Sequence, residues 1–115
     1  MLKKTDLGKA GEKFACQYLE ELGHSVLFSN FRNRFGELDI ISLNEEVLYC
    51  TEVKTWSSQK HFHPLYCFNE TKRNRMRKVY RYLVCKYPAL SHLTVSFSLA
   101  HINEKREVSF YSHLF

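Results

Sequence analysis

Two strand-forming runs, residues 37–42 and 47–54, stand on either side of the polar turn Asn44-Glu45-Glu46. Leu38, Ile40 and Ile41 in the first run, and Val47, Tyr49 and Val53 in the second, are residue types that suit a pleated, half-buried surface. A connection this short cannot carry the chain across a sheet, so the two runs pair as an antiparallel hairpin. The rest of the fold has to be built around that hairpin.

Before it, residues 5–22 read as a helix, with Thr5 or Asp6 as its cap. Leu7, Ala10, Phe14, Tyr18 and Leu22 recur at spacings of three and four and form one apolar stripe, with Glu12 beside it. Gly23 supplies a left-handed stop. Residues 25–31 read as a first strand and residues 32–36 as a polar turn. Residues 55–69 show no period and contain Ser57, Ser58 and Pro64, which predicts a long loop. A second helix over 70–86 follows, ended by Pro88. Strands over 93–102 and 107–111 close the chain around a turn at 103–106. The order αβββαββ predicts an α/β fold, one mixed sheet with flanking helices, and the long connection through the second helix allows the fourth strand to run parallel to the third.

A chain of 115 residues with 44% hydrophobic and 25% charged residues is expected to bury a single core as one domain over 1–115. No apolar run approaches the ~20 residues of a membrane helix, and the N-terminus lacks the apolar middle of a signal peptide. These features predict a cytoplasmic protein with no membrane partner. Cysteines 16, 50, 67 and 85 form no Cys-x-x-Cys pair and are expected to be reduced thiols rather than zinc ligands. The charge of +5 fits a polyanionic partner, to the extent that the positive side chains cluster.

Chemistry concentrates on the hairpin. Leu48, Cys50, Glu52 and Lys54 alternate onto one face of their strand, so that face turns from apolar to charged at the strand's end. Asp39 lies between Leu38 and Ile40, where a carboxylate is costly unless paired or bound to metal. Folding the hairpin about Asn44 brings Asp39 towards Glu52. Two close carboxylates repel each other, and a divalent cation relieves the repulsion; Mg²⁺ typically takes a few carboxylates plus water. Such a metal acidifies a bound water and neutralises phosphate charge, while a lysine at the Lys54 position orients the water or stabilises the developing anion. The set suffices for phosphodiester hydrolysis. The plainer alternative is that Glu52-x-Lys54 is an ordinary ion pair.

The run Gly8-Lys9-Ala10-Gly11-Glu12, with Asn30-Phe31-Arg32, Gly36-Glu37-Leu38-Asp39-Ile40-Ile41 and Glu52-Val53-Lys54-Thr55, resembles the YraN-type family of predicted endonucleases. That family is similar to Holliday-junction resolvases and to the wider PD-(D/E)xK nuclease superfamily. The resemblance covers essentially the whole chain, and Lys72 and Phe115 also fit it. It implies a restriction-endonuclease-like fold and a Mg²⁺- or Mn²⁺-dependent endodeoxyribonuclease acting on branched or duplex DNA. By analogy with junction-cutting relatives, it also implies a homodimer. On this resemblance Asp39, Glu52 and Lys54 are the catalytic set, and Glu12, Asp39 and Glu52 the metal ligands. Glu37 either turns towards the same site or balances Arg32 or Arg34. The family's fourth strand usually opens with Arg-Phe-Asp; the matching stretch here is Ser96-Phe97-Ser98. A glycine usual after the third strand is replaced near His63.

The second helix is strongly basic. Arg73, Arg77 and Arg81 recur every four residues and share a face, an arrangement that can meet successive phosphates. Lys72 and, from the turn before Asp39, Arg32 and Arg34 extend this expected nucleic-acid surface. The competing reading is a solvated helix face. His61 and His63 read as surface or substrate-facing residues, and Trp56 as packing under the loop. A non-catalytic nucleic-acid-binding module is the alternative function; an interaction domain for an acidic protein is a third.

Overall fold

The computed structural model describes residues 4–55, 65 and 68–115, with residues 4–8 described by their backbone alone. Helix α1 (Lys4–Glu21) leads into strands β1 (Ser25–Asn33), β2 (Gly36–Asn44) and β3 (Val47–Thr55). Helix α2 (Glu70–Lys86), a short 3-10 turn at Pro88–Leu90, and strands β4 (Thr94–Ile102) and β5 (Val108–Tyr111) complete the order αβββαββ. One five-stranded mixed sheet runs β1-β2-β3-β4-β5. β1, β2 and β3 pair antiparallel, β3 and β4 pair parallel through the α2 crossover, and β5 returns antiparallel on β4.

The helices cover opposite faces of the sheet. Met76, Val79 and Leu83 of α2 bury against Leu38, Ile41, Leu48, Cys50, Phe97 and Leu99. Ala15 and Leu19 of α1 bury against Ile40, Ala100 and Ile102. Each large aliphatic side chain so buried contributes about 2 kcal/mol. The expected α1 stripe is displaced by one position. Ala10, Phe14 and Tyr18 are only partly buried and Leu22 is 50% exposed; Gly11, Ala15 and Leu19 face the sheet directly. Small residues let the helix backbone approach closely, so the centre of the contact is marked by low bulk rather than by large apolar side chains. A Cβ on Gly11 would overlap the Thr55 methyl group at the end of β3.

Local chemistry fixes the ends of the elements. Gly23, at φ +97°, donates to Glu20 O while His24 N donates to Leu19 O, a paired closure of the α1 C-terminus. The Asn69 side chain accepts from Lys72 N and caps α2. The turn expected over 32–36 contracts to Arg34-Phe35, because β1 continues to pair through Arg32 and Asn33. Asn33 Oδ1 accepts from Phe35 N at 2.8 Å, and Gly36 at φ +146° takes a conformation that side chains rarely tolerate. The expected capping side chains Thr5 and Asp6, and Leu7 of the stripe, lie among residues described by backbone alone. Trp56, His61, His63, Cys67 and most of the expected loop over 55–69 lie outside the described residues.

The sheet is irregular at two levels: the β1–β2 register shifts between Val26 and Phe28, and a second departure lies nearer the turn. Phe28 and Phe31 of β1 both pack with the α2-side core although three residues apart, and so do Leu38 and Ile41 of β2. Strict alternation would put each pair on opposite faces. Asn30, at φ +56°, and Asp39 fall between the Ser29–Ile40 and Phe31–Leu38 pairs, so both strands depart from the pleat at the same place.

A buried carboxylate and lysine cluster at the strand ends

That irregularity determines the surroundings of Asp39. The regular pairing of β2 with β3 begins at Ile40–Thr51, and beyond it Val53 N donates to Asp39 Oδ2 at 2.8 Å. A side-chain carboxylate thus takes the place of a ladder carbonyl. Asp39 is only 7% exposed, and its carboxyl is pushed up to about 7. Burial is the largest cause, followed by the charge of Glu52; the Val53 hydrogen bond opposes them, and Glu37 and Glu12 add smaller repulsions.

Glu52 is 4% exposed. Its Oε1 accepts from Lys72 Nζ at 2.8 Å and lies 3.6 Å from Lys54 Nζ, while Oε2 is buried without a partner among the described residues. The expected common face of Leu48, Cys50, Glu52 and Lys54 is present: the first two enter the α2-side core, and α2 supplies the lysine that reaches Glu52. Lys72, expected among the phosphate contacts, is therefore bonded inside the carboxylate cluster. Its place in the first turn of α2 after the Asn69 cap directs it there.

Glu12 sits on α1 close enough to repel Asp39, and its Oε2 accepts from Asn30 Nδ2 at 2.9 Å. Asn30 holds the left-handed residue of β1 and positions Glu12 through that bond. Among the described residues no three His, Cys, Asp or Glu side chains converge closely enough to hold a metal. A cation here would rest on Asp39 and Glu52, with water completing its shell, a ligand count usual for Mg²⁺. The repelled Asp39 and the unpartnered Glu52 Oε2 suit that donor set. In β4, Ser96 and Ser98 are buried; their hydroxyls lie 3.0 Å apart and Ser96 Oγ accepts from His113 N.

The remaining expected residues lie outside this cluster. Arg32 Nε pairs with Glu37 Oε2 at 2.9 Å on the surface, which gives Glu37 the charge-balancing role. The Arg34 guanidinium lies over the Phe35 ring. Arg73 and Arg77 both lie over the ring of Phe115, 5.5 and 5.1 Å from its centre, and that ring stacks on Phe97 at 4.7 Å. Arg81 is exposed one turn further along. The Asn30–Glu12 and Lys72–Glu52 bonds are not legible in the sequence, where Asn30 and Lys72 enter only as residues that fit the family resemblance or, for Lys72, the basic helix. No helix among the described residues is long and apolar enough to cross a membrane.

Fold and cluster together define an α/β protein whose mixed sheet ends in a buried carboxylate pair flanked by lysines. The chain belongs to the family described as Uncharacterised protein family UPF0102, whose model matches residues 11–102. It is 40% identical over 114 residues to a UPF0102 protein of Leptospira interrogans, covering 99% of this chain and 97% of that one. A UPF0102 protein of Thermodesulfovibrio yellowstonii is 35% identical over 109 residues, covering 91% and 92%. One from Helicobacter pylori is 39% identical over 87 residues, covering 75% and 74%.

Proposed function

We propose that this protein is a metal-dependent DNA endonuclease that hydrolyses phosphodiester bonds in branched or duplex DNA, acting as a homodimer. The observation that carries the reading is the Asp39–Glu52 pair: one carboxyl driven up to about 7 largely by burial and its neighbour's charge, the other keeping a buried oxygen with no partner among the described residues. Structural ion pairs rarely leave such an atom unmatched, because an unpaired buried polar group costs about 1–3 kcal/mol.

Asp39 and Glu52 would hold Mg²⁺ or Mn²⁺, and Glu12 would act on Asp39 by charge. The bound cation would supply an acidified water and neutralise charge at the scissile phosphate. Val53 N–H fixes Asp39 Oδ2, and Lys72 fixes Glu52 Oε1, which leaves Oε2 as the open donor. Lys54, 44% exposed at its side chain, is free to swing from Glu52 to the attacking water or to a phosphate oxygen, where its charge offsets the negative charge that builds as the new P–O bond forms.

One observation favours a second reading. The Lys72–Glu52 ion pair already neutralises one carboxylate, and Ser98 stands where the resembling family has an aspartate. A non-catalytic DNA-binding module would keep such a pair as a structural bridge. A cleavage panel of single strands, duplexes, flaps and four-way junctions with Mg²⁺ or Mn²⁺ separates the two. Cutting that is abolished in Asp39→Asn and Glu52→Gln supports the nuclease. Binding with no cutting by the unaltered protein on any substrate supports the module.

A further inference from the structure

The hairpin between β1 and β2 and the flank of α2 enclose a second feature. An open concavity of about 550 Å³ is lined by Arg32, Asn33, Arg34, Glu37 and Arg75, together with the turn backbone. Three arginines and one glutamate contribute to that lining. Glu37 takes only the Nε edge of Arg32, and the terminal nitrogens of that arginine carry four further N–H donors. A guanidinium fork is the side-chain group that best matches phosphate geometry.

The concavity is also held in shape. Asn33 Oδ1 is committed to Phe35 N, which orients the amide and fixes Nδ2 as its donor side; that Nδ2 is buried with no acceptor among the described residues. Arg34 is held over Phe35, and α2 approaches closely enough that Arg75 Cβ would lie 3.8 Å from a Cβ built at Gly36. The concavity is open to solvent and Phe35 forms part of its wall, whereas sites for apolar ligands are enclosed and largely hydrophobic.

We propose that this concavity is a phosphate-binding subsite, in which Arg32, Arg34 and Arg75 hold a phosphate group. That the phosphate belongs to DNA rests on the nuclease reading. Phe35, the last residue of the turn, stands four residues before Asp39, about 13 Å along an extended strand. At that range the subsite would hold the DNA backbone a few phosphates from the bond addressed by Asp39 and Glu52. Its effect would be to set the register of the strand over the carboxylates.

The first test uses inorganic phosphate alone. Titration into the isotope-labelled protein, followed by NMR, should give saturable shifts of the Asn33 side-chain amide, the Arg34 and Phe35 backbone amides and the Arg75 side chain. Arg75→Gln should weaken that binding at least tenfold, with Lys105→Gln, in the exposed turn between β4 and β5, as a control that leaves it unchanged. Absent shifts, or equal shifts at Lys105, overturn the subsite. The second test measures DNA binding without added metal, comparing 5′-phosphorylated and unphosphorylated duplexes. A preference of tenfold or more for the 5′-phosphate assigns the site to strand ends; equal binding that is weakened in Arg75→Gln assigns it to bridging phosphodiesters. DNA binding unaffected by Arg75→Gln, with the phosphate shifts intact, leaves a phosphate site that does not serve DNA and overturns the register role. Failure of cleavage alone touches the nuclease reading and not the subsite.

Discussion

Lys72 Nζ lies 2.8 Å from Glu52 Oε1, closer than Lys54 Nζ at 3.6 Å to the same oxygen. The lysine two residues from Glu52 in sequence is therefore the looser partner, and the lysine from α2 is the tighter. This division assigns Lys72 to holding the carboxylate and leaves Lys54 available to move.

Removing Lys72 should then cost stability. Lys72→Met keeps the aliphatic stem but leaves Glu52 buried with only the weaker cation. The loss should be about 2 kcal/mol, below the ~3–5 kcal/mol of a fully buried pair because the Lys72 side chain is 29% exposed. Lys54→Met should cost well under about 1 kcal/mol, as expected for a half-exposed partner at longer range. Urea unfolding of both variants checks the order, and equal losses would remove the distinction between the two lysines.

The closeness of α1 to the sheet makes a second prediction. Gly11 packs against Thr55, and Glu12 follows it directly on the same helix. Gly11→Ala should destabilise the protein by about 1–2 kcal/mol through overpacking, despite the better helix propensity of alanine. Thr55→Ser removes the obstructing methyl and should recover most of that stability in the double variant. Thermal unfolding of the two single variants and the double variant measures the recovery; an additive pair would mean that Gly11 is not held by that packing.

The α2 arginines, which would meet nucleic acid on the nuclease reading, are not equivalent. Arg73 and Arg77 share the Phe115 ring, whereas Arg81 is exposed one turn on. Arg73→Gln and Arg77→Gln should each lower stability by about 0.5–1 kcal/mol as well as weakening DNA binding. Arg81→Gln should change binding only. For every arginine that meets a phosphate, its replacement should reduce the log–log salt slope by roughly 0.9 on duplex DNA. Calorimetric stability set beside binding titrations at several salt concentrations distinguishes the two behaviours.

The hairpin, the order of elements and the parallel β3–β4 pairing are readable in the sequence because they follow from run length, turn residues and connection length. The common face of Glu52 and Lys54 is readable because strand alternation is strict where no extra residue intervenes. Four features are not. The centre of the α1 packing is Gly11 and Ala15, which carry little apolar signal. The joint irregularity at Asn30 and Asp39 breaks the alternation from which such a reading starts. The Lys72–Glu52 bond joins residues twenty apart through the crossover, and no local pattern encodes it. Arg75 belongs to the turn concavity for the same reason: its neighbours there come from the β1–β2 hairpin, far back in the chain.

Asp39 ties the site to pH. Its carboxyl is raised to about 7 in the folded protein from an ordinary value of 3.8, so between these values the folded chain holds a proton that the unfolded chain has released. The unfolded state then binds fewer protons, and stability falls as pH rises. The contribution is full below about pH 4 and gone above about pH 7, on the order of a few kcal/mol across the window. The metal-free protein should therefore unfold at a lower temperature at about pH 8 than at about pH 5.5, on either side of that upper limit. Asp39→Asn keeps an oxygen to accept from Val53 N and carries no charge, so it should melt higher than the unaltered protein at the higher pH and lose most of this pH dependence. On the metal reading, millimolar Mg²⁺ or Mn²⁺ should raise the melting temperature of the unaltered protein at the higher pH. It should do so much less at the lower pH, where the cation must displace a proton, and leave Asp39→Asn nearly unaffected. Melting curves of both proteins at the two pH values, with and without metal, check every part. A metal effect of equal size in Asp39→Asn would mean that the cation binds elsewhere.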